Sequence, residues 1–147
     1  MQSLTVPGTL EALAPIRSYI RAAAVVAGLD PKRTYGLTLA ADEIATNIIT
    51  HGYAEAGLSG EITVTARVAD GRLVVTLRDH AAPYDPLAQA TPDDLDVPLD
   101  ERAIGGLGVF LAKQNVDAMR YHFHDGQNHT TFIMQLDSGH RQTDEES

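Results

Sequence analysis

The chain has 147 residues, enough for one domain with a substantial buried core. It carries 20 Asp and Glu against 11 Lys and Arg, and the net charge of −9 argues against a nucleic-acid-binding surface. With no cysteine there are no disulfides, thiolate nucleophiles or cysteine zinc sites; no apolar run nears the roughly 20 residues that span a bilayer, the N-terminus lacks a signal-peptide layout, and a cytoplasmic location is expected.

Leu4 and Val6 alternate with polar neighbours and suggest a short opening strand. Thr9 offers a cap for a helix in which Leu13, Ile16, Ile20 and Ala24 recur at helical spacing, and Gly28 suits its left-handed end. Asp30 and Pro31 open a second helix whose stripe is Leu37, Ala41, Ile44 and Ile48, with Gly52 and Gly57 at the exit. Two alternating strands follow. Ile62, Val64, Ala66 and Val68 share one face of the first; Leu73, Val75, Leu77 and Asp79 share one face of the second; Asp70-Gly71 turns between them.

From Pro83 to Arg102 the chain is rich in Pro and Asp and reads as a long, functional loop. Gly105, Gly106 and Gly108 lead into a helix that runs to about Asn115. Two more strands close the domain, with Met119, Tyr121 and Phe123 as one inner set and Thr130, Phe132, Met134 and Leu136 as the other. The expected fold is α+β: a two-layer sandwich, one face of a mostly antiparallel sheet solvated and the other covered by helices. It spans residues 1–137, and a polar tail spans 138–147.

Three clusters carry chemistry and are expected to converge on a single cavity. Glu43 and Asn47, four apart on the second helix, share a face at the edge of the apolar stripe. Asn47 offers the neutral oxygen that Mg²⁺ accepts, and Glu43 a carboxylate able to take a proton, although such a pair is common on surface helices. Asp79, in the string DHAAPYDP, falls on the buried parity of its strand and needs a hydrogen-bonding partner there. An adenine amino group is one candidate, and loop amides are the alternative. Gly105, Gly106, Leu107 and Gly108 precede a helix, where glycines let backbone amides approach an anion or simply form a hinge. No Gly-Lys-Ser/Thr follows, so this is not a P-loop, and helix then antiparallel strands is not a dinucleotide-binding order. Thr130 shares its parity with Phe132 and Met134 and should face the helical layer.

In this order the clusters resemble the GHKL ATPase superfamily, and within it the short serine kinases of bacterial partner-switching systems, the anti-sigma factor type. The resemblance runs from about Leu10 to Leu136. LTLAADEIATNIITHGY is similar to the N box, which implies Glu43 as general base and Asn47 as Mg²⁺ ligand. DHAAPYDP is similar to the G1 box, which implies that Asp79 reads adenine beside Ala81, where that motif usually has glycine. ERAIGGLGVFLAKQ is similar to the G2 box, which implies that Gly105, Gly106, Leu107 and Gly108 wrap the phosphates of ATP, while Thr130, or Thr131 in a competing alignment, lies near the base.

The implied function is ATP-dependent phosphorylation of an anti-sigma-factor antagonist protein on serine. The alternative is a non-catalytic, nucleotide-responsive module that sequesters a sigma factor or another regulator. A sensor histidine kinase domain is disfavoured because no phospho-acceptor helix pair precedes the motifs. Homodimer formation is compatible with the resemblance, but no residue pattern marks a dimer face. His122 and His124 read as solvated strand histidines, His51 as a packed or capping one, and Asp93, Asp94, Asp96 and Asp100 as a solvated lid without EF-hand spacing.

Overall fold

Period-2 alternation in the strands and a period near 3.6 in the helices each separate an apolar face from a polar one. In the computed structural model, which describes residues 2–88 and 106–136, those faces meet in two layers. Strands β1 (Leu4–Pro7), β2 (Glu61–Ala69), β3 (Arg72–Asp79), β4 (Ala118–His124) and β5 (Gln127–Gln135) form a sheet in the order β1-β2-β3-β5-β4. Every neighbouring pair is antiparallel. Helices α1 (Leu13–Ala27), α2 (Pro31–Asn47) and α3 (Gly106–Gln114) share one apolar core with the inner sheet face. The expected α+β sandwich is the fold observed.

The helix ends follow local chemistry. Gly28 adopts φ 84° and its N–H closes α1 onto the carbonyls of Ala24 and Val25. Asp30 caps α2 by accepting from the Arg33 amide at 2.9 Å, and Pro31 occupies the first turn. Thr9 makes no side-chain cap; it precedes a short 3₁₀ turn, Leu10–Ala12, that leads into α1. Along α2, Leu37, Ala40, Ala41, Ile44 and Ala45 are buried, and the small residues let other elements approach closely. Gly36 lies against the Asn115 carbonyl, where an added methyl would stand 3.1 Å away.

Two inner-face expectations fail at the sheet edges. Val68 is 55% exposed because β1 pairs only with Glu61–Val64 and leaves the far half of β2 uncovered. Phe123 is 44% exposed because, among the described residues, β4 has a strand neighbour on one side only. A third difference concerns α2, which does not simply end. It continues into a wide π-type turn, Ile48–Ala54, that buries Ile48, Ile49 and Tyr53. Tyr53 is 2% exposed; its hydroxyl donates to the Glu61 carbonyl at 2.8 Å and accepts from the His80 amide at 2.7 Å. Gly8 and Gly60 pack on its ring, where any side chain would collide. One phenol thus ties the exit of α2 to the start of β2 and the end of β3. The Pro83–Arg102 loop and the 138–147 tail lie largely outside the described residues; Pro86–Ala88 forms a 3₁₀ turn.

Candidate nucleotide site

The end of β3 meets the end of α2 across a cavity of about 180 Å³. Asn47, Ile48, Asp79, Ala81, Asn128 and Thr130 are among its lining residues. A pocket for a whole drug-sized ligand holds roughly 300–1,000 Å³, so this one fits a flat ring system with the rest of a ligand outside it.

Asp79 is 1% exposed. Both of its hydrogen bonds end on Oδ1: the Ala81 amide donates at 2.9 Å and Asn128 Nδ2 at 2.8 Å. Oδ2 has no partner among the described residues, so an acceptor in the cavity wall remains for a ligand's N–H. Burial pushes the Asp79 carboxyl above the usual carboxylate range; the Asn128 and Ala81 bonds and the nearby His80 and His129 pull it back only in part.

Asn128 organises this end of the cavity. It is the β5 register partner of Asp79 and 3% exposed. Its Nδ2 also donates to the carbonyls of Ala81 at 3.1 Å and Ala82 at 3.2 Å, and its Oδ1 accepts from the Tyr121 hydroxyl and the Tyr84 amide. Asn128 was not singled out in the sequence. The parity that marks Asp79 marks it too, since it lies two residues before Thr130 on the inner face of β5.

Ala81 needs no left-handed backbone: among the described residues only Asp70 and Asp125 combine a side chain with positive φ. Its methyl packs toward Gly52, where an added Cβ would stand 3.0 Å from it. The glycine that the turn lacks at 81 is in effect supplied across the contact at 52. Thr130 is 2% exposed and lines the cavity, whereas Thr131 lies on the outer sheet face with its hydroxyl 3.2 Å from that of Thr76.

Asn47 is 6% exposed, and its Nδ2 is buried with no partner among the described residues. A buried carboxamide left unpaired is costly, and half a turn about its last bond exchanges nitrogen for oxygen. His51, expected as a packed or capping histidine, also lines the cavity and pairs with Glu55 at 2.8 Å.

Glu43 departs from the expectation of a single cavity. It lines a neighbouring hollow between α2 and α3, together with Gly108 and Leu111. Gly108 lies so close to the Glu43 carboxylate that a Cβ there would collide with it. Gly106 and Leu107 form the first turn of α3, and Gly105 lies outside the described residues. The structure therefore gathers Asn47, Asp79, Ala81 and Thr130 around one cavity and places Glu43 and Gly108 around the next, one turn of α2 away. His122, read as solvated, stacks on His129 with ring centres 4.5 Å apart; no metal-binding group of three acidic or histidine side chains occurs among the described residues.

A helix carboxylate and amide, a buried acid at a strand end and a glycine-led helix, set in this sheet order, define a class of nucleotide-binding domain. The family model for the histidine kinase-like ATPase domain matches residues 6–134, and the chain belongs to that family. The serine/threonine-protein kinase BtrW of Bordetella bronchiseptica is 35% identical over 97 residues, covering 66% of this chain and 67% of that protein. The serine-protein kinase RsbW of Bacillus subtilis is 28% identical over 129 residues, covering 84% and 78%. Among solved structures, the RsbU and RsbW domains of Rv1364c from Mycobacterium tuberculosis superpose with TM-score 0.62 at 21% identity, covering 92% of this chain and 33% of that one. The SiaB–SiaC complex of Pseudomonas aeruginosa gives 0.62 at 14%, covering 91% and 89%. At these identities the two structures support the shared fold. No helix among the described residues is long and apolar enough to cross a membrane.

Proposed function

We propose that this chain is an ATP-dependent serine protein kinase of the partner-switching type, acting on an anti-sigma-factor antagonist and thereby controlling a sigma factor. The observation that carries this reading is the buried Asp79, which lines a ring-sized cavity and has one oxygen without a partner among the described residues, one turn of α2 from a carboxylate packed on a glycine. The serine-kinase names of the two relatives support it.

Asp79 reads the adenine amino group, with Thr130 beside it and Ala81 closing the turn. Asn47 is the residue fitted to hold Mg²⁺ through its Oδ1: its Nδ2 has no partner among the described residues, and turning the carboxamide over would bring the oxygen to that point. When bound, Mg²⁺ supplies charge neutralisation at the phosphates. The first turn of α3, at Gly106–Gly108, offers backbone amides to the same anion. In the transfer, the serine Oγ of the antagonist bonds to the γ-phosphorus of ATP, the bond from that phosphorus to the bridging oxygen breaks, and ADP leaves with the electron pair. Glu43 takes the hydroxyl proton. Gly108, by leaving no side chain, lets Glu43 lie against α3.

The test is Glu43→Ala, assayed with labelled ATP and candidate antagonist proteins. Transfer to serine should fall on the order of 10²-fold or more, while calorimetry still finds ATP binding. Undiminished transfer removes Glu43 as base. Nucleotide-dependent complex formation without any transfer by the wild type points instead to a binding module.

A further inference from the structure

This inference rests on the reading above, in which Glu43 takes a serine proton. Two hollows flank one turn of α2. Asn47 and Asp79 line the first, and Leu39, Asp42, Glu43, Gly108 and Leu111 line the second, of about 220 Å³. A transfer between two substrates needs both held at one reaction point. A base must also stand within hydrogen-bond reach of the proton it takes. The acid that reads a base faces the first hollow, and the carboxylate that takes a proton lines the second. We propose that the α2–α3 hollow receives the serine-bearing segment of the protein substrate, and that Leu39 and Leu111 select an apolar side chain next to that serine.

The walls support this occupant. Leu39 precedes Glu43 by four residues on α2, and Leu111 follows Gly108 by three on α3, so each leucine shares a helix face with one member of the Glu43–Gly108 contact. Leu39 is 42% and Leu111 49% exposed, two large apolar side chains on the rim of one hollow. An apolar side chain laid between them removes that surface from water. Of the rest of the wall, Gly108, Ala112 and Asn115 are neutral, and Glu43 is the acid not paired with a cation among the described residues. Glu43 and Asp42 both line the hollow, and Asp42 is held by Arg17 at 2.6 Å. A carboxylate beside the substrate serine is therefore repelled. The fitting segment has a serine, an apolar neighbour and no adjacent acid.

The experiment uses the full chain and an antagonist protein that the wild type phosphorylates. Leu39→Ser combined with Leu111→Ser should raise KM for that protein on the order of tenfold, as loss of an apolar anchor at an interface does. The Kd for ATP should stay within about twofold, because neither leucine lines the first cavity. Replacing both leucines with Met should restore KM. In the substrate, changing the apolar neighbour of the serine to Asp should weaken transfer by the wild type to a similar extent, and this arm decides the matter if the double-serine variant does not fold. An unchanged KM, or a KM that rises only in step with the ATP Kd, overturns the docking assignment and leaves the kinase reading standing. Absence of transfer to any serine protein by the wild type overturns the kinase reading and this inference together.

Discussion

At the scale of single residues, Asp79 holds a position that favours ligand recognition over stability. Its burial raises the carboxyl's proton affinity above that in the unfolded chain. The folded state therefore binds the proton more tightly, and stability is lost as pH rises from the unfolded value through the folded one. Asn in its place keeps an oxygen to accept from Ala81 and Asn128 and removes the buried charge. Asp79→Asn should melt above the wild type at neutral pH, and the gap should close as pH falls below the carboxylate range, measured by thermal unfolding across pH. On the proposed reading of adenine by Asp79, ATP affinity should drop on the order of tenfold or more by calorimetry, because an amide does not match the adenine N–H. A lower melting point at pH 7 would show that the hydrogen bonds need the charge.

At the scale of elements, the contact between α2 and α3 decides where Glu43 stands. Gly108→Ala puts a methyl where the Glu43 carboxylate lies. The obstacle is the end of a flexible side chain, so the helix pair survives and Glu43 swings away. With Glu43 as the proposed base, the expected result is a melting temperature within a few degrees of the wild type and phosphotransfer reduced on the order of tenfold or more, since a misplaced base loses its proton-transfer contribution. A large loss of stability with proportionate loss of transfer would make Gly108 a packing residue only.

This contact also marks the limit of what the residues reveal unaided. Strand parity, the Asp30 cap and the Gly28 exit were legible because each is set by neighbours a few positions away. Parity also buried Asp79 and Thr130 correctly. It could have revealed Asn128, whose role needs only the inner-face rule already applied to its neighbours. Glu43 in a hollow of its own was not legible, because that depends on how far α3 presses onto α2. Val68 and Phe123 were misread because the pattern records a strand's faces and not whether another strand lies beside it. The π-type turn after Asn47 gave no signal, since its apolar residues continue the helical stripe.

At the scale of the whole molecule, any ligand that binds only the folded chain adds to its stability by mass action, about 2.7 kcal/mol at a hundredfold excess over Kd. ATP with Mg²⁺ should therefore raise the melting temperature, and a chelator should remove part of the gain. On the proposed assignment of Asn47 as metal ligand, the chelator should make little further difference in Asn47→Ala; a full chelator effect there would place the metal elsewhere. The parts of the chain that such a ligand would tie together follow from how the sheet is assembled. β2 with β3 and β4 with β5 are each neighbours in sequence, whereas β3 and β5 pair across long separations, from Asp79↔Asn128 to Arg72↔Gln135. The cavity straddles this junction, with Asp79 on one hairpin and Asn128 and Thr130 on the other. It is a seam between two local ribbons, so neither ribbon carries half a binding site with half the affinity. Whatever grips both edges of the seam holds the early and late parts of the chain together, and recognition becomes a readout of completed folding.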